Sequence, residues 1–156
     1  MIVVGDASVF IALERIGATD LLPAVFGEVH VPAAVWREVY ESGRATEPPA
    51  WVVRHDEPIP ALQALPLPGL DAGEIAAIQL ALSLRADLLL MDEAADRTAA
   101  RQLGIPNTGL LGVLAAAKRR GIIDRVAPQI ERLRASGFWL SEALVTQILS
   151  DLGESR

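Results

Sequence analysis

Residues 86–92 read Ala-Asp-Leu-Leu-Leu-Met-Asp, an apolar run stopped by an acid. A short, continuously apolar run is typical of a parallel strand buried on both faces. The amino terminus repeats the pattern, with Ile2, Val3 and Val4 leading through Gly5 into Asp6. In parallel sheets, functional groups gather beyond the C-terminal ends of the strands. Asp6 and Asp92 are therefore expected to face each other across one edge of a sheet.

The rest of the chain alternates in the same way. Helical periodicity covers Ser8 to Ile16, Leu21 to Phe26 and Ala33 to Tyr40, the last with Pro32 at its start. Glu28 to Val31 and Trp51 to Arg54 read as strands. Prolines at 58, 60, 66 and 68 exclude a long regular element there. Helices follow over Ile75 to Leu84, Ala94 to Leu103 and Leu110 to Arg120, with a short strand at Ile105 to Thr108. Val126 to Ala135 and Ser141 to Leu152 are helical again. The alternation predicts an α/β fold, a central parallel sheet flanked by helices. Residues 1–156 are expected to form one domain, with 122–156 as a C-terminal helical extension.

Composition narrows the chemistry. The chain has 156 residues, no cysteine and a net charge of −6. Disulfides, thiolate metal sites and cysteine nucleophiles are excluded. The acidic balance argues against a basic nucleic-acid coat protein, but not against a nuclease whose acids are neutralised by a divalent cation. No basic region precedes the first apolar stretch, and no apolar stretch is long enough to span a bilayer. A soluble, cytoplasmic protein with no membrane partner is expected.

Four places offer carboxylates at strand ends or helix starts: Asp6, Glu38, Asp71 with Glu74, and Asp92 with Glu93 and Asp96. Each has an ordinary structural reading. Asp6, Ser8 and Asp92 suit helix N-caps, Asp71-x-x-Glu74 is close to a capping box, and Glu38 reads as a solvated charge. Taken together, converging carboxylates repel and call for a cation or raised pKa values. Mg²⁺ and Mn²⁺ favour such oxygen ligands and can activate water at a phosphodiester. No phosphate loop, dinucleotide fingerprint or serine-nucleophile elbow is present. Ser8 has no evident base, and His30 and His55 are not spaced as a metal pair, so both histidines read as structural.

Four stretches in order resemble the PIN-domain family. They are Val3-Val4-Gly5-Asp6-Ala7-Ser8-Val9-Phe10-Ile11, Val31-Pro32-Ala33-Ala34-Val35-Trp36-Arg37-Glu38, Leu70-Asp71-Ala72-Gly73-Glu74-Ile75-Ala76-Ala77-Ile78, and Leu88-Leu89-Leu90-Met91-Asp92-Glu93. Thr108-Gly109-Leu110-Leu111-Gly112-Val113-Leu114 is similar to a prokaryotic, toxin-like branch. The resemblance implies a metal-dependent endoribonuclease, often a homodimer and often the toxin of a toxin–antitoxin pair. By position Asp6, Glu38, Glu74 and Asp92 would hold Mg²⁺ or Mn²⁺, and Ser8 would orient them. Water would attack phosphorus, leaving a 5′-phosphate and a 3′-hydroxyl. The third acid is Glu74 where many toxin relatives carry Asp. Of the acids after Asp92, Asp96 is the stronger candidate for the metal, because i+4 returns to the same helix face.

RNA contact would fall to Arg97 and Arg101, or to Lys118, Arg119 and Arg120 at a helix C-terminus. An alternative keeps the fold as a catalytically weak or inactive module acting through dimerisation or partner binding. A haloacid-dehalogenase-type phosphatase would need Asp where Ser8 stands. A receiver domain would need an early acidic pair and a late lysine, and neither is apparent.

Overall fold

A computed structural model describes residues 1–41, 47–56, 69–92 and 94–155, with side chains omitted at 94–96. The proline-rich stretch 58–68, where no long regular element is expected, lies outside these residues. Strands β1 (Val3–Gly5), β2 (Val29–Pro32), β3 (Val52–His55), β4 (Leu88–Leu90) and β5 (Asn107–Thr108) form a five-stranded sheet in the order β3-β2-β1-β4-β5. Every pairing is parallel. Parallel neighbours need crossovers, and the helices supply them. The helices are α1 (Ala7–Arg15), α2 (Leu21–Phe26), α3 (Ala33–Trp36), α4 (Ala72–Leu84), α5 (Ala94–Gln102), α6 (Leu110–Arg119), α7 (Ala127–Ala135) and α8 (Glu142–Asp151).

β1 and β4 sit side by side at the centre, with Gly5 in register with Leu90. Val3, Val4, Leu89, Leu90 and Met91 are fully buried, as strands covered on both faces must be. The Asp6 amide donates to the Leu90 carbonyl at 2.9 Å. That bond extends the pairing one step beyond β1, so Asp6 and Asp92 leave adjacent strands at the same end of the sheet.

The expected helix over 33–40 changes register partway. After α3 the backbone continues as a π-helical turn from Arg37 to Glu41. A π turn is rarer than α-helix and depends on side-chain packing to hold it. Here Val39 is buried, and the Trp36 and Tyr40 rings lie 5.0 Å apart. The Arg54 guanidinium covers Trp36 from β3 at 5.3 Å. The turn carries Glu38.

Helices α7 and α8 join the same core through Val126, Ile130, Leu133, Leu140, Val145 and Leu149. Glu154 fastens the chain end back onto α6 and α7. Its side chain, 4 % exposed, accepts from Lys118 Nζ at 2.9 Å and from the Val126 and Ala127 amides at 2.8 and 3.1 Å. These donors outweigh the cost of burial and hold the Glu154 carboxyl at a pKa of about 2. Lys118 also donates to the Leu152 carbonyl, so its place at the end of α6 is a structural one. Among the described residues, no helix is long and apolar enough to cross a membrane.

Candidate active site

Asp6 lies buried, 4 % exposed, just beyond the C-terminal end of β1. It occupies the N-cap position of α1 in an extended conformation, yet its side chain makes no capping hydrogen bond. The Ser8 hydroxyl donates to Asp6 Oδ2 at 3.3 Å. Burial pushes the Asp6 carboxyl up to a pKa of about 6, and the negative charges of Glu74 and Asp71 push the same way. The Ala7 backbone and the Ser8 hydroxyl pull it down by less. A carboxylate kept from water and faced by two more negative groups is what a bound cation would relieve.

Asp71 and Glu74 open α4. The Glu74 amide donates to Asp71 Oδ1 at 2.8 Å, and the Asp71 amide donates to Glu74 Oε2 at 2.9 Å. This is the reciprocal capping box expected from Asp71-x-x-Glu74. Glu74 therefore takes part in the cap of α4 and also bears electrostatically on Asp6. Glu38 arrives from the π turn. A Cβ on Gly73 would stand 3.4 Å from Asp71 Oδ1 and 3.5 Å from Glu38 Oε1, which places the Glu38 carboxylate against the first turn of α4.

Asp92 leaves β4 toward β5. Its Oδ1 accepts from the Leu110 amide at 2.8 Å, at the start of α6. Gly109 makes this close approach possible, since a Cβ there would lie 2.9 Å from Asp92 Oδ1. Arg97 stands beside the same spot, and its Nε donates to Asn107 Oδ1 at 3.3 Å. Glu93 and the side chain of Asp96 lie outside the described residues.

The acids thus gather at one end of the sheet, in two parts. Asp6, Glu38, Asp71 and Glu74 meet around the start of α4, and Asp92 stands at the start of α6. Among the described residues, no three His, Asp or Glu side chains are close enough to hold a metal ion together. The donor chemistry nonetheless suits a hard divalent cation, because every candidate ligand is a carboxylate and Asp6 carries a buried charge that its neighbours worsen.

The histidines hold a feature hidden in their spacing. β2 and β3 bring His30 Nδ1 and His55 Nε2 to 2.8 Å, on a diagonal between the pairs His30–Val53 and Pro32–His55. Burial and the His55 ring both lower the proton affinity of His30. The two lie 25 residues apart in sequence, so only the strand register reveals the contact.

A family model described as a PIN domain matches residues 2–154. No curated protein matches the chain, and no solved structure does.

Proposed function

Because this chain belongs to the PIN-domain family, whose members are generally nucleases, we propose that it is a Mg²⁺- or Mn²⁺-dependent endoribonuclease. The observation that carries the proposal is Asp6, a buried carboxylate on which the charges of Glu74 and Asp71 bear. Asp6, Glu38, Glu74 and Asp92 would hold the ion, with Asp96 a further candidate. When bound, such an ion supplies Lewis acidity at the phosphate and eases ionisation of water. The Ser8 hydroxyl, which donates to Asp6 Oδ2, would orient that carboxylate. The capping box would orient Glu74, and the Leu110 amide would orient Asp92. The reaction is hydrolysis: the oxygen of water bonds to phosphorus, the P–O3′ bond breaks, and the products are a 5′-phosphate and a 3′-hydroxyl.

The similarity of residues 108–114 to toxin-like relatives supports a finer reading. In it the protein is a cytoplasmic toxin, works as a homodimer and has an antitoxin partner. Residues 1–156 are taken as one domain, with the helices beyond 122 an extension packed on its core. A second reading is favoured by one observation: among the described residues no trio of acids lies at ligating distance. On that reading the fold is a weakly active or inactive module acting through a partner.

Cleavage of defined RNAs with Mg²⁺ or Mn²⁺ separates the two. The nuclease reading expects metal-dependent products with 5′-phosphates from the wild type, and background rates from Asp6→Asn and Asp92→Asn. Equal rates in all three proteins would remove the site assignment. An inert wild type would favour the binding module.

A further inference from the structure

Asp92, Arg97, Trp139, Leu144 and Asp151 all line one groove of about 390 Å³. The volume falls within the range of about 300–1,000 Å³ common for small-ligand sites. Trp139 is 82 % exposed and Leu144 is 55 % exposed, although their neighbours are anchored. Leu140 is buried, and the Phe138 amide donates to the Leu133 carbonyl at 3.0 Å. Trp139 is thus a large aromatic face presented from a fixed backbone. Such a face is well suited to stacking.

The geometry points to Trp139 as a positioning residue that stacks a nucleobase of a single RNA strand, next to the phosphate handled at Asp92. This inference rests on the nuclease reading for its substrate class. Three observations favour a nucleotide as occupant. The groove is continuous with Asp92, so a strand threaded there reaches the candidate site. Arg97 supplies a guanidinium beside Asp92, where a phosphate would lie. Gly109 and Gly112 leave part of the lining without side chains, and a Cβ at Gly112 would fall 1.8 Å from Thr108 Oγ1. Stacking of this kind tolerates any base, because every base offers a π-face.

Binding and cleavage are read separately. Tryptophan emission is titrated with an eight-residue oligoadenylate RNA in chelator, using wild type, Trp139→Phe and Trp139→Ala. Trp36 and Trp51 are partly buried, so the difference between wild type and Trp139→Phe isolates Trp139. Quenching of that component is expected in the wild type, and the anisotropy of the same RNA carrying a fluorescein label should show affinity about tenfold weaker in Trp139→Ala and largely kept in Trp139→Phe. In the cleavage assay Trp139→Ala should raise KM about tenfold and leave kcat within about twofold, and an abasic substrate should erase the difference. Unchanged affinity and KM in Trp139→Ala would overturn the inference, even with a fully active wild type. So would a Trp139→Ala protein that passes from dimer to monomer in sedimentation while binding RNA normally, which would make the groove an interface between copies. A wild type that binds and quenches but does not cleave would support the inference and count against the nuclease reading alone.

Discussion

Asp6→Asn should make the protein more stable at neutral pH while abolishing hydrolysis. The Asp6 carboxyl titrates near 6 in the folded chain, against 3.8 in an ordinary setting, with burial the main cause and Glu74 and Asp71 adding to it. Folding therefore favours the protonated form. The contribution of Asp6 to stability is greatest below about pH 4, falls as pH rises through the interval from 3.8 to about 6, and is least above it. A tenfold change in proton affinity corresponds to about 1.4 kcal/mol, so the ionised carboxylate costs up to about 3 kcal/mol at pH 7.5. An asparagine keeps the shape and one oxygen for Ser8, and its amide can donate toward the neighbouring carboxylates. A gain of about 1–3 kcal/mol is expected, or about 3–9 °C in Tm for a chain of this size. Urea and thermal unfolding in chelator at pH 7.5 and pH 4 measure it. The gain should shrink toward zero at pH 4, where the wild-type carboxyl has taken up its proton. A loss of stability at pH 7.5, or a gain that ignores pH, would refute the reasoning and return Asp6 to a purely structural role.

Glu154→Gln should cost about 1–3 kcal/mol at pH 7, because it weakens a nearly buried set of charge-assisted hydrogen bonds to Lys118, Val126 and Ala127. With its pKa held at about 2 in the fold, the stabilisation is present above about 4.5 and is lost as pH falls toward 2, so the wild-type and variant unfolding curves should converge in acid. Gly109→Ala should push Asp92 off the Leu110 amide, since the new methyl would lie 2.9 Å from Asp92 Oδ1. It should cost about 1 kcal/mol as a lost cap. Its cleavage rate should fall with that of Asp92→Asn, and an unchanged rate would detach Asp92 from the chemistry.

The sheet is legible because burial on both faces leaves a mark in the sequence. Leu88 to Met91 and Ile2 to Val4 lack the alternation of half-exposed strands, and an aspartate follows each run. The Asp71–Glu74 capping box is legible because its two halves lie three residues apart. What escapes depends on partners distant in sequence. Asp92 accepts from the start of α6, 18 residues on, a contact that its position just before α5 does not announce. The π turn at Arg37–Glu41 keeps the residue types of an ordinary helix, and the Arg54 guanidinium that packs over Trp36 comes from β3, distant in sequence. The His30–His55 contact arises from the alignment of β2 with β3. Trp139 stands in a short apolar run, Phe138-Trp139-Leu140, that gives no sign of which ring turns outward.

Calorimetric titration of Mn²⁺ into the wild type and into Asp6→Asn tests most directly whether these acids act as one ligand set. A saturable binding event is predicted for the wild type, weakened at least about tenfold by Asp6→Asn. No heat from the wild type, or equal affinity in both proteins, would contradict it.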